Sequence, residues 1–177
     1  LDARVAGDGV GVERVDRVDI SGGERPGPSR VARGALAGDA AAFEEAAAVY
    51  RRLIEATPRP QEDLVWADYA NGRAYALANA ARLGKGDIAA LEGAVKLARE
   101  ARAVFAAQAP ASVPHVDDTP CSAMIEAGRL SAARATVEQA LQACDASLSA
   151  FKAAAAPNAA EVERTIARGK AVLAGID

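Results

Sequence analysis

Asp39-Ala40-Ala41-Ala42-Phe43-Glu44-Glu45-Ala46-Ala47-Ala48-Val49-Tyr50-Arg51-Arg52-Leu53-Ile54-Glu55-Ala56-Thr57-Pro58 is a helix with its start and stop written into it. The Asp39 carboxylate can accept from the free N–H groups of a first turn. Phe43, Ala46, Ala47, Tyr50, Leu53 and Ile54 recur at spacings of three and four, which lays them along one face. Pro58 disfavours helical geometry in the residue before it. The helix therefore runs to about Ala56.

The same grammar extends in both directions. Ser29 caps a short helix ending near Gly38. A helix over 62–82 carries an inward stripe of Trp66, Ala70, Ala74, Leu77 and Ala81, and Gly84 supplies a left-handed cap after it. Asp87 caps the next, with Ile88, Leu91, Ala94, Val95, Ala98, Ala101 and Phe105 inward. Pro110 and Pro114 bound a loop. Thr119-Pro120 then reads as a cap followed by proline at the first helical position, opening a short helix that stops at Gly128. A long helix follows, from Leu130 to Ala155. Its seam of Val137, Leu141, Cys144, Leu148 and Phe151 steps by four and three. Pro157 ends it. Asn158 caps a last helix with Val162, Ile166, Leu173 and Ile176 inward.

Composition agrees with helix. Hydrophobic residues make up 51% of the 177-residue chain but aromatics only 4%. Alanine, about a quarter of the chain, closes that gap. It is the best helix former and adds little buried area per residue, so the core must come from close approach of small side chains. A sheet would want β-branched and aromatic residues instead. A net charge of −3 argues against a nucleic-acid partner, and no apolar run is long enough to span a membrane. Residues 1–28 read differently, as an irregular N-terminal arm rich in Gly, Val, Asp and Arg. Its Gly7-Asp8-Gly9-Val10-Gly11 has no strand–helix unit around it and reads as a flexible segment, not a dinucleotide loop. The Leu1 start fits a processed product or a fragment, and an exported location is favoured over a cytoplasmic one. Cys121 and Cys144 are either a disulfide or two buried thiols; spacing does not decide.

Three helices share a pattern. One reads Phe43-x-x-Ala46-x-x-x-Tyr50-x-x-Leu53 with Pro58 after it. The second reads Leu91-x-x-Ala94-x-x-x-Ala98-x-x-Ala101. The third reads Gly128-x-Leu130-x-x-Ala133-x-x-x-Val137-x-x-Ala140. A small residue lets each helix sit close to its hairpin partner, and the bulkier ones fill the space toward the next. This resembles the second helix of a tetratricopeptide repeat. Gly128, Leu130 and Ala133 match that family's inter-helix turn. Trp66-Ala67-x-x-x-Asn71-x-x-Ala74, followed by Leu91-Glu92-x-Ala94-Val95, looks like a longer-looped bacterial variant. The marker alanines Ala46, Ala94 and Ala133 are spaced by 48 and 39 residues, against roughly 34 in the standard repeat, with the excess in loops. Ala74 stands where the first helix usually has glycine. A generic helical bundle is the alternative.

The resemblance implies antiparallel hairpins over residues 29–177, stacked as a short right-handed array with a C-terminal capping helix. It also implies a groove lined by first helices that binds a partner protein or peptide. The expected partner-binding stripe is Asp68, Asn71, Tyr75, Asn79 and Arg82, about one turn apart along helix 62–82. Asn side chains donate and accept, so they can hold a peptide backbone without demanding its sequence. A solvated face explains the same stripe without function. Trp66 is expected to be a packing anchor.

His115, near Asp117, Asp118 and Cys121, gathers possible metal ligands, but zinc wants more soft ligands at tighter spacing, and Asp118 and Thr119 are explained as helix-start residues. No nucleophile motif or phosphate loop is present. Glu44, Glu45, Glu92, Glu126 and Glu138 read as solvated helix surface. An interaction module or accessory subunit without cofactor or metal, not an enzyme, is therefore expected. The rivals are a structural subunit joined to copies of itself through helix 130–155, and an enzyme or small-molecule carrier with a pocket between hairpins.

Overall fold

The computed structural model describes residues 39–59, 61–155 and 159–176. The arm, the short helix at 29–38 and the Asn158 cap lie outside them. The described residues form six α-helices and no strand: α1 (Ala40–Ala56), α2 (Asp63–Arg82), α3 (Ile88–Gln108), α4 (Asp118–Ser131), α5 (Arg134–Ala153) and α6 (Ala159–Ala174). The fold is all-α. A 3-10 segment, Pro110–His115, occupies the expected loop.

Local chemistry sets three of the helix ends. Asp39 accepts from the Ala41 N–H at 2.9 Å and Asp87 from Ala90 at 2.7 Å, so both are side-chain caps. Gly84 follows α2 with φ +89°, a conformation glycine adopts without penalty.

Each helix packs on the next in sequence, α2 also packs on α4, and α4 on α6. The central element is α2. Besides the expected Trp66, Ala70, Ala74 and Ala81, it buries Ala67, Tyr69, Asn71, Gly72, Ala76, Ala78 and Ala80. Its apolar positions wrap most of the way round the helix, and one narrow polar face is left open. Ala76 and Ala80 meet Phe43, Ala46 and Ala47 of α1. Ala74 and Ala78 meet Ala94 and Ala98 of α3 and Ala123 of α4. Trp66, Ala67 and Ala70 pack with Ala101, Phe105 and Val116. The Arg59 guanidinium lies 3.9 Å over the Trp66 ring, so Trp66 is a packing anchor with a cation–π lid. A second core joins Cys121, Met124 and Ile125 of α4 to Ala140, Cys144 and Phe151 of α5 and to Val162 and Ile166 of α6.

Several expectations are corrected. The helix opened near Thr119-Pro120 starts at Asp118, and Thr119 is buried inside it, not capping it. It continues through Gly128 to Ser131 and turns at Ala132, which has φ +51°. Gly128 is a close-approach residue, not a stop: a Cβ there would lie 2.6 Å from Val137 Cγ2. The long helix accordingly starts at Arg134, and Leu130 is exposed at the end of α4. Ile88 is exposed as well, in the first turn of α3. Ala46, Ala94 and Ala140 are each the seventh residue of their helix, spaced by 48 and 46, whereas Ala133 only precedes α5. Val137, Cys144 and Phe151 are fully buried, with Leu141 and Leu148 packed on the same core, so the seam of α5 faces the chain's own α4 and α6.

Cys121 and Cys144 form a disulfide between α4 and α5, with Cα atoms 5.4 Å apart. The bond closes a loop of 23 residues in sequence separation, which corresponds to about 3 kcal/mol of chain-entropy stabilisation. Reduction should lower the urea midpoint accordingly, and a thiol assay on unreduced, denatured protein should find no free thiol. Two free thiols in that assay would refute the bond.

Gly72 sets the spacing of α1 on α2. A Cβ there would lie 2.6 Å from Tyr50 Cζ and 2.8 Å from Cε1, and Tyr50 is itself buried. Gly72→Ala gains about 1 kcal/mol of helix propensity but must displace a packed ring, so a net loss of about 1–2 kcal/mol is expected by urea unfolding. A gain in stability would mean that the ring yields freely.

Candidate functional site

One face is shared by α2, α4 and α6, and it holds a cavity of about 320 Å³. Tyr75, Asn79 and Arg82 line it from α2, Asp118 and Ser122 from α4, and Glu161, Arg164, Thr165 and Arg168 from α6. The Tyr75 hydroxyl donates to Glu161 Oε1 at 3.0 Å. Asn79 Nδ2 donates to the Tyr75 carbonyl at 3.0 Å, and Arg82 Nε donates to Asn79 Oδ1 at 3.2 Å. Arg168 donates through Nε to Glu126 Oε1 at 3.0 Å and through Nη2 to Ser122 Oγ at 3.3 Å.

These pairs fix direction. Tyr75 meets Glu161 near the start of α6, and Tyr75 also feels the charge of Asp118. Further along, Arg168 feels Arg82 and binds Glu126. The three helices therefore run the same way past the cavity. Its wall divides into layers about one turn apart. Tyr75, Asp118 and Glu161 form an acidic end. Asn79, Ser122 and Thr165 form a neutral middle, with Arg164 beside it. Arg82 and Arg168 form a basic end. The first two layers draw on positions 43 residues apart in the chain.

Beneath the basic end lies Glu126, expected at the surface but 1% exposed. Arg129 Nε donates to its Oε2 at 2.8 Å, and Arg168 occupies the other oxygen. Arg129 also donates to the Ala81 carbonyl of α2 at 2.8 Å. Unpairing a buried ion pair costs roughly 3–5 kcal/mol, so Glu126 is a structural anchor that aims Arg168. Its sequence signal was weak: it sits in the run Ala123-Met124-Ile125-Glu126-Ala127-Gly128, apolar on both sides, with Arg129 one turn on.

The expected stripe divides. Tyr75, Asn79 and Arg82 line the cavity. Asn71 is 2% exposed, with its Oδ1 unpartnered among the described residues, and it does not line the cavity. Asp68 is half-buried farther back along α2 and does not line the cavity. The α4 and α6 residues were not anticipated, because nothing local in sequence says that α6 lies alongside α2. Neither Arg82 nor Arg164 has a carboxylate within ion-pair distance among the described residues. No group of three or more His, Cys, Asp or Glu among the described residues is placed to hold a metal, and no described helix is long and apolar enough to cross a membrane.

Set against protein-family models, curated proteins and solved structures, the chain matches none.

Burial, followed by the Glu161 charge and hydrogen bond and then Asp118, pushes the Tyr75 hydroxyl up to about 12. Burial pulls the Arg168 guanidinium below its ordinary value, Glu126 pushes it back, and Arg82 adds to the depression. A raised folded-state value means that the native protein holds the Tyr75 proton longer than the unfolded chain does. Stability is then lost as pH rises from about 10 to about 12. That loss is of order 2–3 kcal/mol. Tyr75→Phe should flatten that decline in denaturation curves taken across the window, while Tyr69, also raised by burial, keeps its share in both proteins. Parallel declines would place the Tyr75 hydroxyl in water.

Proposed function

We propose that the chain is a protein-interaction module or accessory subunit that holds a partner segment on the face shared by α2, α4 and α6. The observation that carries this reading is the convergence of Tyr75, Asn79 and Arg82 with polar side chains of two other helices on one face. Arg82 and Arg164 stand there without carboxylate partners.

The finer architecture belongs to the same proposal. We read the helices as tetratricopeptide-like hairpins, α2 with α3 and α4 with α5, stacked in a right-handed array and capped by α6. Support comes from the contacts of α2 with α4 and α4 with α6, and from the 43-residue step between cavity layers. The face is assigned binding and no catalytic role. Export is part of the reading too, because a structural disulfide persists in oxidising compartments. The rival reading, a subunit joined to copies of itself through α5, lacks a free surface, since that seam is covered by α4 and α6.

The test is comparative capture from the native source with three baits: the wild type, the double variant Asn79→Ala/Arg82→Ala, and Glu100→Ala on the exposed side of α3. A protein retained by the wild type and by Glu100→Ala but lost from the double variant is the expected result. Equal retention by all three would remove this face, and no specific retention by the wild type would remove the interaction reading. Circular dichroism should be the same for all three.

A further inference from the structure

We propose that the cavity between α2, α4 and α6 binds a small linear zwitterion, of the size of a dipeptide or tripeptide, with its ammonium at Glu161 and its carboxylate at Arg82 and Arg168.

The placement of charge carries this. Asp118 and Glu161 lie at one end of the cavity and Arg82 and Arg168 at the other, with Arg164 beside the polar layer between them. Tyr75 and Arg82 are seven residues apart on one helix, as are Glu161 and Arg168 on another, which sets the ends about 10 Å apart along the axes. An extended chain of two or three residues spans about 7–10 Å. The volume of about 320 Å³ lies at the lower edge of small-molecule pockets and does not admit a partner helix.

Donors and acceptors are also left over in the right places. Arg82 spends Nε on Asn79, and Arg168 spends Nε and Nη2 on Glu126 and Ser122. Each guanidinium has five N–H donors, so both Nη groups of Arg82 and Nη1 of Arg168 remain for a carboxylate. Glu161 accepts one hydrogen bond from Tyr75 and can accept more. Between the ends, Ser122, Thr165 and Asn79 offer hydroxyl and amide groups to a peptide bond. A simple anion such as phosphate would meet the two carboxylates as well as the arginines, and a simple amine would meet the arginines. A zwitterion satisfies both ends.

This ligand is a different occupant from the partner segment proposed above and would compete with it for Asn79 and Arg82, so purified protein tests it independently of the capture experiment. Isothermal titration calorimetry with dialanine and trialanine should give saturable binding with a Kd of about 1 mM or tighter. N-acetylated and C-amidated forms of the same peptides should bind at least about tenfold more weakly. Arg82→Gln and Glu161→Gln, neither of which breaks a buried ion pair, should each weaken binding by about tenfold. Arg82→Gln should make the C-amidated peptide no worse than it already is, and Glu161→Gln should do the same for the N-acetylated one. Absence of saturable binding by either peptide overturns the proposal. So does capped peptide binding as well as uncapped, or inorganic phosphate displacing the peptides with comparable affinity.

Discussion

Close packing of alanine against alanine around α2 is the constraint on which the rest of the structure depends. Ala74, Ala76, Ala78, Ala80 and Ala81 are all buried, so α2 can take neighbours on three sides. Each such contact buries little area, and the fold compensates with number. Larger residues supplement the alanines: Trp66 with Phe105 at one end, Phe43 and Tyr50 on the α1 side, and Leu91 against Ala81 and Ala127. Gly72 extends the same logic by one step, removing even the methyl group so that the Tyr50 ring can come close to the helix.

Because α2 is buried on its α1, α3 and α4 sides, its remaining surface is narrow. Tyr75, Asn79 and Arg82 lie on it, and α4 and α6 bring theirs alongside. The arrangement is tied by polar bonds that cross between helices. Tyr75 binds Glu161, Arg168 reaches Glu126 and Ser122, and Arg129 joins Glu126 to the α2 backbone. The Cys121–Cys144 bond then fixes α4 on α5 from behind. The site therefore rests on both covalent and ionic restraints, although its lining is mostly side chains of ordinary exposure.

How much of this was legible in the sequence depended on the range of the signal. Caps at Asp39 and Asp87 and the glycine turn at Gly84 are local chemistry, and they stand where periodicity put them. Gly128 was misread because a glycine that ends a helix and one that admits a neighbour look alike in one dimension; only Val137, in the next helix, distinguishes them. The same slip put Ala133 inside the long helix, whereas it precedes α5. Alanine-rich helices are prone to this, since almost any register offers a small residue at the expected place. Glu126 failed for a related reason: its partner Arg168 lies 42 residues away.

The stripe on α2 was readable in part, and the part that was lost is instructive. Asn71 shares the face of Tyr75 by helical spacing, yet it is buried while Asn79 is not. The difference is neighbours, not periodicity. Near Asn71 the helix is enclosed by its packing partners, whereas near Asn79 the facing residues are Ser122 and Thr165, short polar side chains that leave space. A cavity arises here because these positions carry neither alanine, which would let the helices close, nor leucine, which would fill the gap. Short hydroxyl side chains between a carboxylate layer and an arginine layer keep the helices apart and the walls polar. That choice forgoes hydrophobic burial at three facing positions in a chain whose core is already thin in area.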